Sequence, residues 1–454
     1  MSEYQRMIRK NGEIIMQKII INRLGPVEHS ELDIKEFMVF TGPQASGKST
    51  IAKSIFFFKN VKNVLFNQLR KKCLLGNQED TLNFSVKNSL IRDIRSDFLQ
   101  TFGSTWCMDK NMSIRYDYAE DIWITISLKP DPVTPNYIWI ELSPALTESL
   151  QEIEREFLSK SDMSFIVESE MIKSRINMVF HDEAEVVYIP AGRSMITLLS
   201  TQLNYLYSAM DDTQKKNIDY CTQNYLEKIM MLKPSFSQGV EQMIREMLRL
   251  TDMKVDREIL YTAAELMKQI LNGEYRNVDG EERLQVEEGR YVKINFASSG
   301  QQEAVWILNV LFYYLLNNKK TYFIIEEPES HLFPNAQKLM TEFISLARGR
   351  HKNQIFITTH SPYILGTINN LLYADNISKI VDEEQLNAIV NKSKWISFSS
   401  MSAFFIQGGK VSPCMDEEFK AIENEVIDGV SEEINKDYEK MVLLKEKMLH
   451  KEGR

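Results

Sequence analysis

Cysteine is scarce. The 454 residues hold four, Cys73, Cys107, Cys221 and Cys414, far apart and with no C-x-x-C pair. That spacing argues against a disulfide framework or a zinc site and for a reducing interior. No apolar run approaches the ~20 residues that a membrane helix needs. The first 15 residues alternate charge and apolarity, without the apolar stretch of a signal peptide. The expectation is a soluble cytoplasmic protein with no membrane partner. A basic excess is missing too. The net charge is −9, so a nucleic acid would have to be held by a local basic patch rather than by the whole surface. An H-E-x-x-H motif, an HNH spacing and sustained heptads are all lacking. Their absence removes a metalloprotease or HNH-nuclease reading and a long coiled coil.

What is present is globular: 43% hydrophobic and 26% charged residues with no low-complexity tract, in a chain long enough for two or three domains. The sharpest feature is Phe40–Thr50, which reads F-T-G-P-Q-A-S-G-K-S-T and fits the phosphate-loop pattern G-x-x-x-x-G-K-[ST]. A buried strand, Phe37–Phe40, leads into it, and Ile51, Ile55 and Phe58 follow at helical spacing. Such a loop turns its backbone N–H groups around a phosphate, and the helix behind it adds its positive end. The candidate nucleotide contacts are Gly42, Pro43, Gln44, Ala45, Ser46, Gly47, Lys48, Ser49 and Thr50. Lys48 supplies charge to the β- and γ-phosphates, and the Ser49 hydroxyl is a candidate Mg²⁺ ligand.

Around this loop the pattern reads in order. Met16–Asn22 and Glu28–Ile34 are paired strands about the turn Arg23-Leu24-Gly25-Pro26. Lys59, Lys62, Arg70, Lys71 and Lys72 are either the solvated face of an amphipathic helix or a basic edge for a nucleic-acid backbone. Met112–Tyr118, Ile122–Leu128 and Tyr137–Leu142 alternate with period two, broken by Lys129-Pro130-Asp131-Pro132, and Leu146–Leu158 is helical by spacing. Glu185–Ile189 is a buried strand that ends in Pro190-Ala191-Gly192-Arg193. Arg193 stands where α/β sheets place ligand chemistry, and could reach a phosphate or pair with a local carboxylate. Thr197–Leu271 reads as a helical lobe, with Leu198, Leu199, Leu203 and Leu206 opening its apolar pattern and Pro234 and Gly239 as breaks.

Past a hairpin at Glu282–Phe296, the run Ser298-Ser299-Gly300-Gln301 opens another helix. It would serve as an anion nest or as an ordinary serine cap. Thr321–Ile325 is an apolar strand that ends in Glu326-Glu327-Pro328-Glu329. Adjacent carboxylates at a buried strand end are costly unless a cation or a polarised water uses them. One of them can hold Mg²⁺, directly or through water, and the next can orient or deprotonate the attacking water. Gln354–Thr358 is a further apolar strand, and His360 lies just past it, in reach of a γ-phosphate. Ile396–Ile406 reads as a strand-like piece, and Ser431–Leu449 as a charged helix.

Taken together, these stations resemble the ABC-type ATPase heads of the Rad50/SMC/RecF group. More closely, they resemble the stand-alone OLD-like and AAA-15/AAA-21 ATPases of bacterial anti-phage defence, such as the ATPase subunits of PARIS and Septu systems. By that resemblance Gly42–Thr50 is Walker A, Ser298–Gln301 the signature loop, Phe323–Glu327 Walker B, Ser330–Pro334 the D-loop region and His360 the switch histidine. Three departures stand out: Ser299 replaces a signature glycine, Glu326 replaces an aspartate, and no glutamine can be placed in the Q-loop position near Arg193.

The implied fold is α/β: an ABC-type P-loop NTPase head with an antiparallel β lobe, a helical insertion and no long coiled coil. The expected parts are head residues 1–80, a β-rich lobe at 81–180, a core strand with the Q-loop-position segment at 181–196, and a helical insertion at 197–275. The head resumes at 276–375, and a β/helical extension follows at 376–454. The resemblance implies ATP and Mg²⁺ as ligands and catalysis by Glu327 and His360. Ser298 and Gly300 would contact the γ-phosphate of a second copy in an ATP-sandwiched homodimer. Hydrolysis is expected, with room for a slow rate. A separate effector protein from the same operon is the expected partner, the ATPase being its sensor or regulator. The alternatives are a DNA-binding repair ATPase of the RecF/Rad50 kind and a non-hydrolysing ATP-dependent scaffold.

Overall fold

A computed structural model describes residues 17–75, 85–129, 136–158, 165–197, 218–250, 256–349, 353–423 and 435–442. The expected Pro130–Pro132 break, the start of the helical lobe at Leu198–Leu206 and both ends of the helix at Ser431–Leu449 lie outside them.

The strands of the main sheet are β1 (Lys18–Leu24), β2 (Val27–Asp33), β3 (Phe37–Thr41), β4 (Ser113–Asp117), β5 (Trp123–Lys129), β6 (Tyr137–Leu142) and β7 (Glu185–Ile189). A separate antiparallel hairpin sheet holds β8 (Glu274–Val278), β9 (Glu281–Glu287) and β10 (Arg290–Lys293). The main sheet then resumes with β11 (Thr321–Glu326), β12 (Gln354–Thr359), β13 (Met401–Gln407) and β14 (Lys410–Pro413). Among the described residues its order is β6-β5-β4-β1-β2-β14-β13-β3-β12-β11-β7. Strands β7, β11, β12, β3 and β13 run parallel, β2, β1, β4, β5 and β6 run antiparallel to one another, and β14 joins the two sets, antiparallel to β13 and parallel to β2. The fold is therefore α/β, with a parallel nucleotide-loop core continued by an antiparallel lobe.

The parallel strands read as continuous apolar runs because helices cover both faces. Met38, Phe40, Tyr322, Ile324, Phe356 and Tyr188 point to one core. That side is packed by α1 (Lys48–Leu75), α2 (Val86–Phe102), α3 (Pro144–Leu158) and α4 (Phe165–Val179). Their neighbours Phe37, Val39, Phe323, Ile325, Ile355 and Ile357 point to the other core. There lie α5 (Tyr220–Leu232), α6 (Val240–Leu250), α7 (Arg257–Leu271), α8 (Ser299–Leu316), α9 (Pro334–Leu346) and α10 (Pro362–Ile377). Helices α2 and α4 fall within the stretch that read as β-rich. Helices α5, α6 and α7, broken by a turn at Lys233–Phe236, form the described part of the expected helical lobe.

Strand β13 belongs to the same sheet. Met401–Phe405 pair in register with Phe37–Thr41, so a segment that reads in sequence as an extension completes the core beside the phosphate loop.

Lys59 and Lys62 are not a nucleic-acid edge. They are 1% and 5% exposed, and both contact Asp182, at 3.0 and 3.4 Å. Lys59 also donates to Gln17 Oε1 at 2.7 Å, and Lys62 to the backbone oxygens of Asp182 and Ala184. They lie on the face of α1 turned into the protein. Burial holds Lys62 down at about 8 in spite of Asp182. Of the five basic residues, Arg70 and Lys71 are exposed and Lys72 is half-buried.

Candidate functional site

Parallel strands bring their carboxyl ends to one edge, which is where α/β sheets place ligands. Here that edge carries Thr41, Glu326 and Thr359, held by the pairings Thr41↔Thr359 and Glu326↔Thr358. The loop from Gly42 to Gly47 leaves β3 and feeds α1. Gly42 and Gly47 have φ of 141° and 113°. A side chain at Gly42 would also put its Cβ 2.2 Å from the Ile406 carbonyl oxygen at the end of β13. Only glycine fits there.

Lys48 is 5% exposed, and its ammonium folds back onto the Gly42 and Pro43 carbonyl oxygens at 2.9 and 2.8 Å. Burial lowers its pKa, against the pull of Glu327, Glu329 and Glu326. Ser49 is exposed and Thr50 half-exposed at the first turn of α1. Pro43, Gln44 and Ala45 form the exposed tip of the loop, and Ser46 is buried.

Glu326 is 5% exposed. Its Oε2 takes the Ala191 N–H at 3.4 Å, while Oε1 has no partner in hydrogen-bond geometry, the buried Tyr188 hydroxyl being the nearby polar group. Buried Ser46 Oγ, Thr41 Oγ1 and Glu329 Oε2 are likewise without a partner. Buried polar atoms are nearly always bonded, so four such atoms at one sheet edge fit a polar ligand. The donor set suits Mg²⁺ held jointly with phosphate oxygens: a serine hydroxyl and one carboxylate. Among the described residues no group of three or more His, Cys, Asp and Glu could hold a metal by itself.

Glu327 sits in left-handed backbone, φ 42°. Its N–H donates to the Thr358 carbonyl at 2.9 Å, and Ser330 Oγ donates to its Oε2 at 3.4 Å. His360 Nε2 lies 3.7 Å from Glu327 Oε1. Burial, then the Lys48 charge, lowers the His360 pKa against the pull of Glu327 and the Gly42 backbone. Glu329 Oε1 accepts the His360 N–H at 2.7 Å and the Thr359 hydroxyl at 2.8 Å, tying the loop after β11 to that after β12. Burial raises the Glu329 pKa.

The signature-like loop is elsewhere in this network. Ser298 caps α8 in a reciprocal box with Gln301, whose amide also donates to the Leu271 carbonyl at 2.7 Å. Ser299 is exposed. Gly300 packs so tightly that a Cβ would stand 2.7 Å from the His331 carbonyl oxygen. The loop thus shares a surface with the Ser330–Pro334 turn, and Phe296 and Phe333 beside these two segments are 81% and 78% exposed.

Arg193 does not reach a phosphate. It is 0% exposed, with Nε 3.2 Å from Glu303 Oε2 and its other donors on backbone carbonyls, so the pairing alternative holds. Sequence reasoning missed Glu303, although a carboxylate opening an otherwise apolar helix is a readable signal. It also missed a cavity of about 1220 Å³ beside Ser49 and Thr50, lined by Arg23, His29, Trp106 and Asp109 among others. Trp106 is 77% exposed.

A family model described as "AAA ATPase domain" (AAA_15) matches residues 15–365, more than half of the chain. The chain belongs to the AAA_15 family. The AAA_15 domain thus spans the phosphate loop, the β11 carboxylates and His360, and its family binds and hydrolyses nucleoside triphosphate. No curated protein matches the sequence. Among solved structures, an SMC head bound to the C-terminal winged-helix domain of ScpA is 11% identical, with TM-score 0.40, over 89% of this chain and 98% of that one. An SMC head from Thermotoga maritima is 11% identical, with TM-score 0.34, over 88% and 98%. A dimeric ATP-binding cassette, MJ0796 with ADP and Pi, is 11% identical, with TM-score 0.29, over 87% and 96%. These are distant likenesses; the family rests on the sequence match. Among the described residues no helix is long and apolar enough to cross a membrane.

Proposed function

We propose that this AAA_15 chain is an ABC-type ATPase that closes head-to-tail with a second copy around ATP and regulates a separate effector in bacterial anti-phage defence. The observation that carries the enzymatic part is the meeting of Lys48, Glu326, Glu327 and His360 at one sheet edge, among buried oxygens with no protein partner. In the working site Lys48 leaves the Gly42 and Pro43 carbonyls for the β- and γ-phosphates. The loop N–H groups and the start of α1 surround the same oxygens. The nucleoside extends past Ser49 and Thr50 into the cavity at Trp106. Glu327 takes a proton from the water that attacks the γ-phosphorus as the bond to the β–γ bridging oxygen breaks and ADP leaves, and His360 beside it contacts the γ-phosphate. Mg²⁺, held by Ser49 and Glu326, supplies positive charge at the phosphate oxygens when bound.

Support for the dimer is the exposed face formed by Ser298, Ser299, Phe296 and Phe333, which offers a second copy's nucleotide both hydroxyls and apolar contact. ATP that binds the closed pair better than the open one makes occupancy a switch. The defence role rests on the family resemblance. The DNA-repair alternative loses Lys59 and Lys62 and keeps Arg70, Lys71 and Lys72.

The test is native mass spectrometry of the Glu327→Gln protein purified with ATP and Mg²⁺ from its operon context. A dimer carrying two ATP, with a second operon-encoded protein and no DNA, is expected. A monomer that retains ATP contradicts the sandwich, and a nucleic-acid complex lacking the second protein reverses the order of the two readings.

A further inference from the structure

Arginine is rarely wholly buried, and Arg193 is. Its guanidinium joins three elements. Nη1 donates to the carbonyls of Pro190, just past β7, and Glu326, at the end of β11, both at 2.6 Å. Nη2 donates to the Glu327 carbonyl at 2.9 Å. Nε donates to the Glu303 carbonyl at 3.2 Å, with Glu303 Oε2 also at 3.2 Å. Glu303, in the first turns of α8, returns the contact: its carboxylate accepts the N–H groups of Arg193 and Ser194 at 3.1 and 2.8 Å. Thr197 Oγ1 adds a bond to the Gln302 carbonyl at 2.9 Å.

We infer that Arg193, with Glu303, is a positioning clamp that sets the catalytic orientation of Glu327 and couples it to the start of the signature helix. Glu327 holds a left-handed backbone, which is strained for a non-glycine residue. Such a conformation persists only where its surroundings fix it. Strand β12 fixes the N–H side of Glu327, through the Thr358 carbonyl. Arg193 fixes the carbonyl side. The direction of the Glu327 carboxylate therefore depends on a guanidinium that is also bonded, through Nε, to Glu303 of the helix that carries Ser298–Gln301 at its tip. Glu303 lies two residues beyond Gln301, so a shift of that loop against a second copy's nucleotide moves Glu303, Arg193 and Glu327 together. Lysine cannot replace this fork, because an ammonium reaches as a point charge and not as five donors fixed in a plane.

The inference rests on the reading of Glu327 as the group that activates water. Its test uses the full chain and four variants: Arg193→Lys, Glu303→Gln, Glu327→Gln and the Arg193→Lys/Glu327→Gln double. Steady-state ATP turnover, fluorescent-nucleotide affinity and thermal melting are measured on each. Folded Arg193→Lys is expected to lose up to ~100-fold in kcat, as a small misplacement of a catalytic group does, with nucleotide affinity within ~2-fold of wild type. Glu303→Gln loses less in the same pattern, and it serves alone if Arg193→Lys does not fold. Groups that act as a unit are non-additive, so the double variant should turn over no more slowly than Glu327→Gln. Unchanged kcat in a folded clamp variant, a change in KM alone, or additive losses in the double variant overturns the clamp while leaving the site reading intact. Wild-type turnover in Glu327→Gln overturns the site reading itself, and the clamp with it.

Discussion

Two groups of buried charge lie on the same helix, α1, and they are built in opposite ways. Lys59 and Lys62 meet Asp182, and the remaining polar atoms are taken by Gln17 and backbone oxygens. Gln17 is in turn bonded by the Tyr116 hydroxyl at 2.7 Å. Lys48, at the start of the helix, has no carboxylate on its ammonium, only the two loop carbonyls. Around it Glu326, Glu329, Ser46 and Thr41 keep an atom without a partner. A satisfied cluster is an internal support. An unsatisfied one at the carboxyl edge of a parallel sheet suits a ligand, because a polar ligand can bond the atoms that the protein leaves without a partner.

Substitutions in the two groups should therefore separate activity from stability. The largest effect is expected for Glu327→Gln at the open edge, a fall in ATP turnover of ~10²–10⁴-fold with ATP binding retained. A phosphate-release assay beside nucleotide binding reads both, and equal losses in the two would break the contrast. In the closed cluster, Asp182→Asn strands two buried ammonium groups and should cost ~3–5 kcal/mol in chemical denaturation. The same carboxylate carries a pH signature. Lys59 and Lys62 overcome the effect of burial and hold its pKa below the ordinary value. Its contribution is therefore complete above the unfolded value of ~3.9 and disappears as the pH falls from there toward the folded one. Unfolding free energy measured from pH 6 down to ~3 should drop more steeply for wild type than for Asp182→Asn. A parallel fall would remove Asp182 as the source. The smallest effect is expected for Ser46→Ala: removing an orphaned hydroxyl leaves the unliganded protein as stable as before, or up to ~1 kcal/mol more stable, while ATP binding weakens. Clear destabilisation without ATP would mean that Ser46 is already satisfied.

Much of this was legible in the sequence because strands and loops leave local signals. The apolar runs at Thr321–Ile325 and Gln354–Thr358, and β7 at Glu185–Ile189, were bounded to within a residue, since burial on both faces leaves no alternation to blur their ends. The phosphate loop was read from its own glycines. What the sequence hid depends on contacts between distant segments. Nothing local in Met401–Gln407 says that it pairs with β3, or that its Ile406 carbonyl closes on Gly42. Lys59 and Lys62 read as a basic face because Asp182, their counter-charge, is over a hundred residues away. Arg193 was ambiguous for the same reason: phosphate and Glu303 are equally plausible partners until α8 is placed beside β7.

The most direct test of the open-edge account is a thermal-shift titration of wild type and Lys48→Ala with ATP and Mg²⁺. Ligand that binds only the folded state at ~100 times its Kd stabilises by ~2.7 kcal/mol. The account predicts a saturable rise in Tm for wild type and little or none for Lys48→Ala, the two melting alike without nucleotide. No rise in wild type, or an equal rise in both, would contradict it.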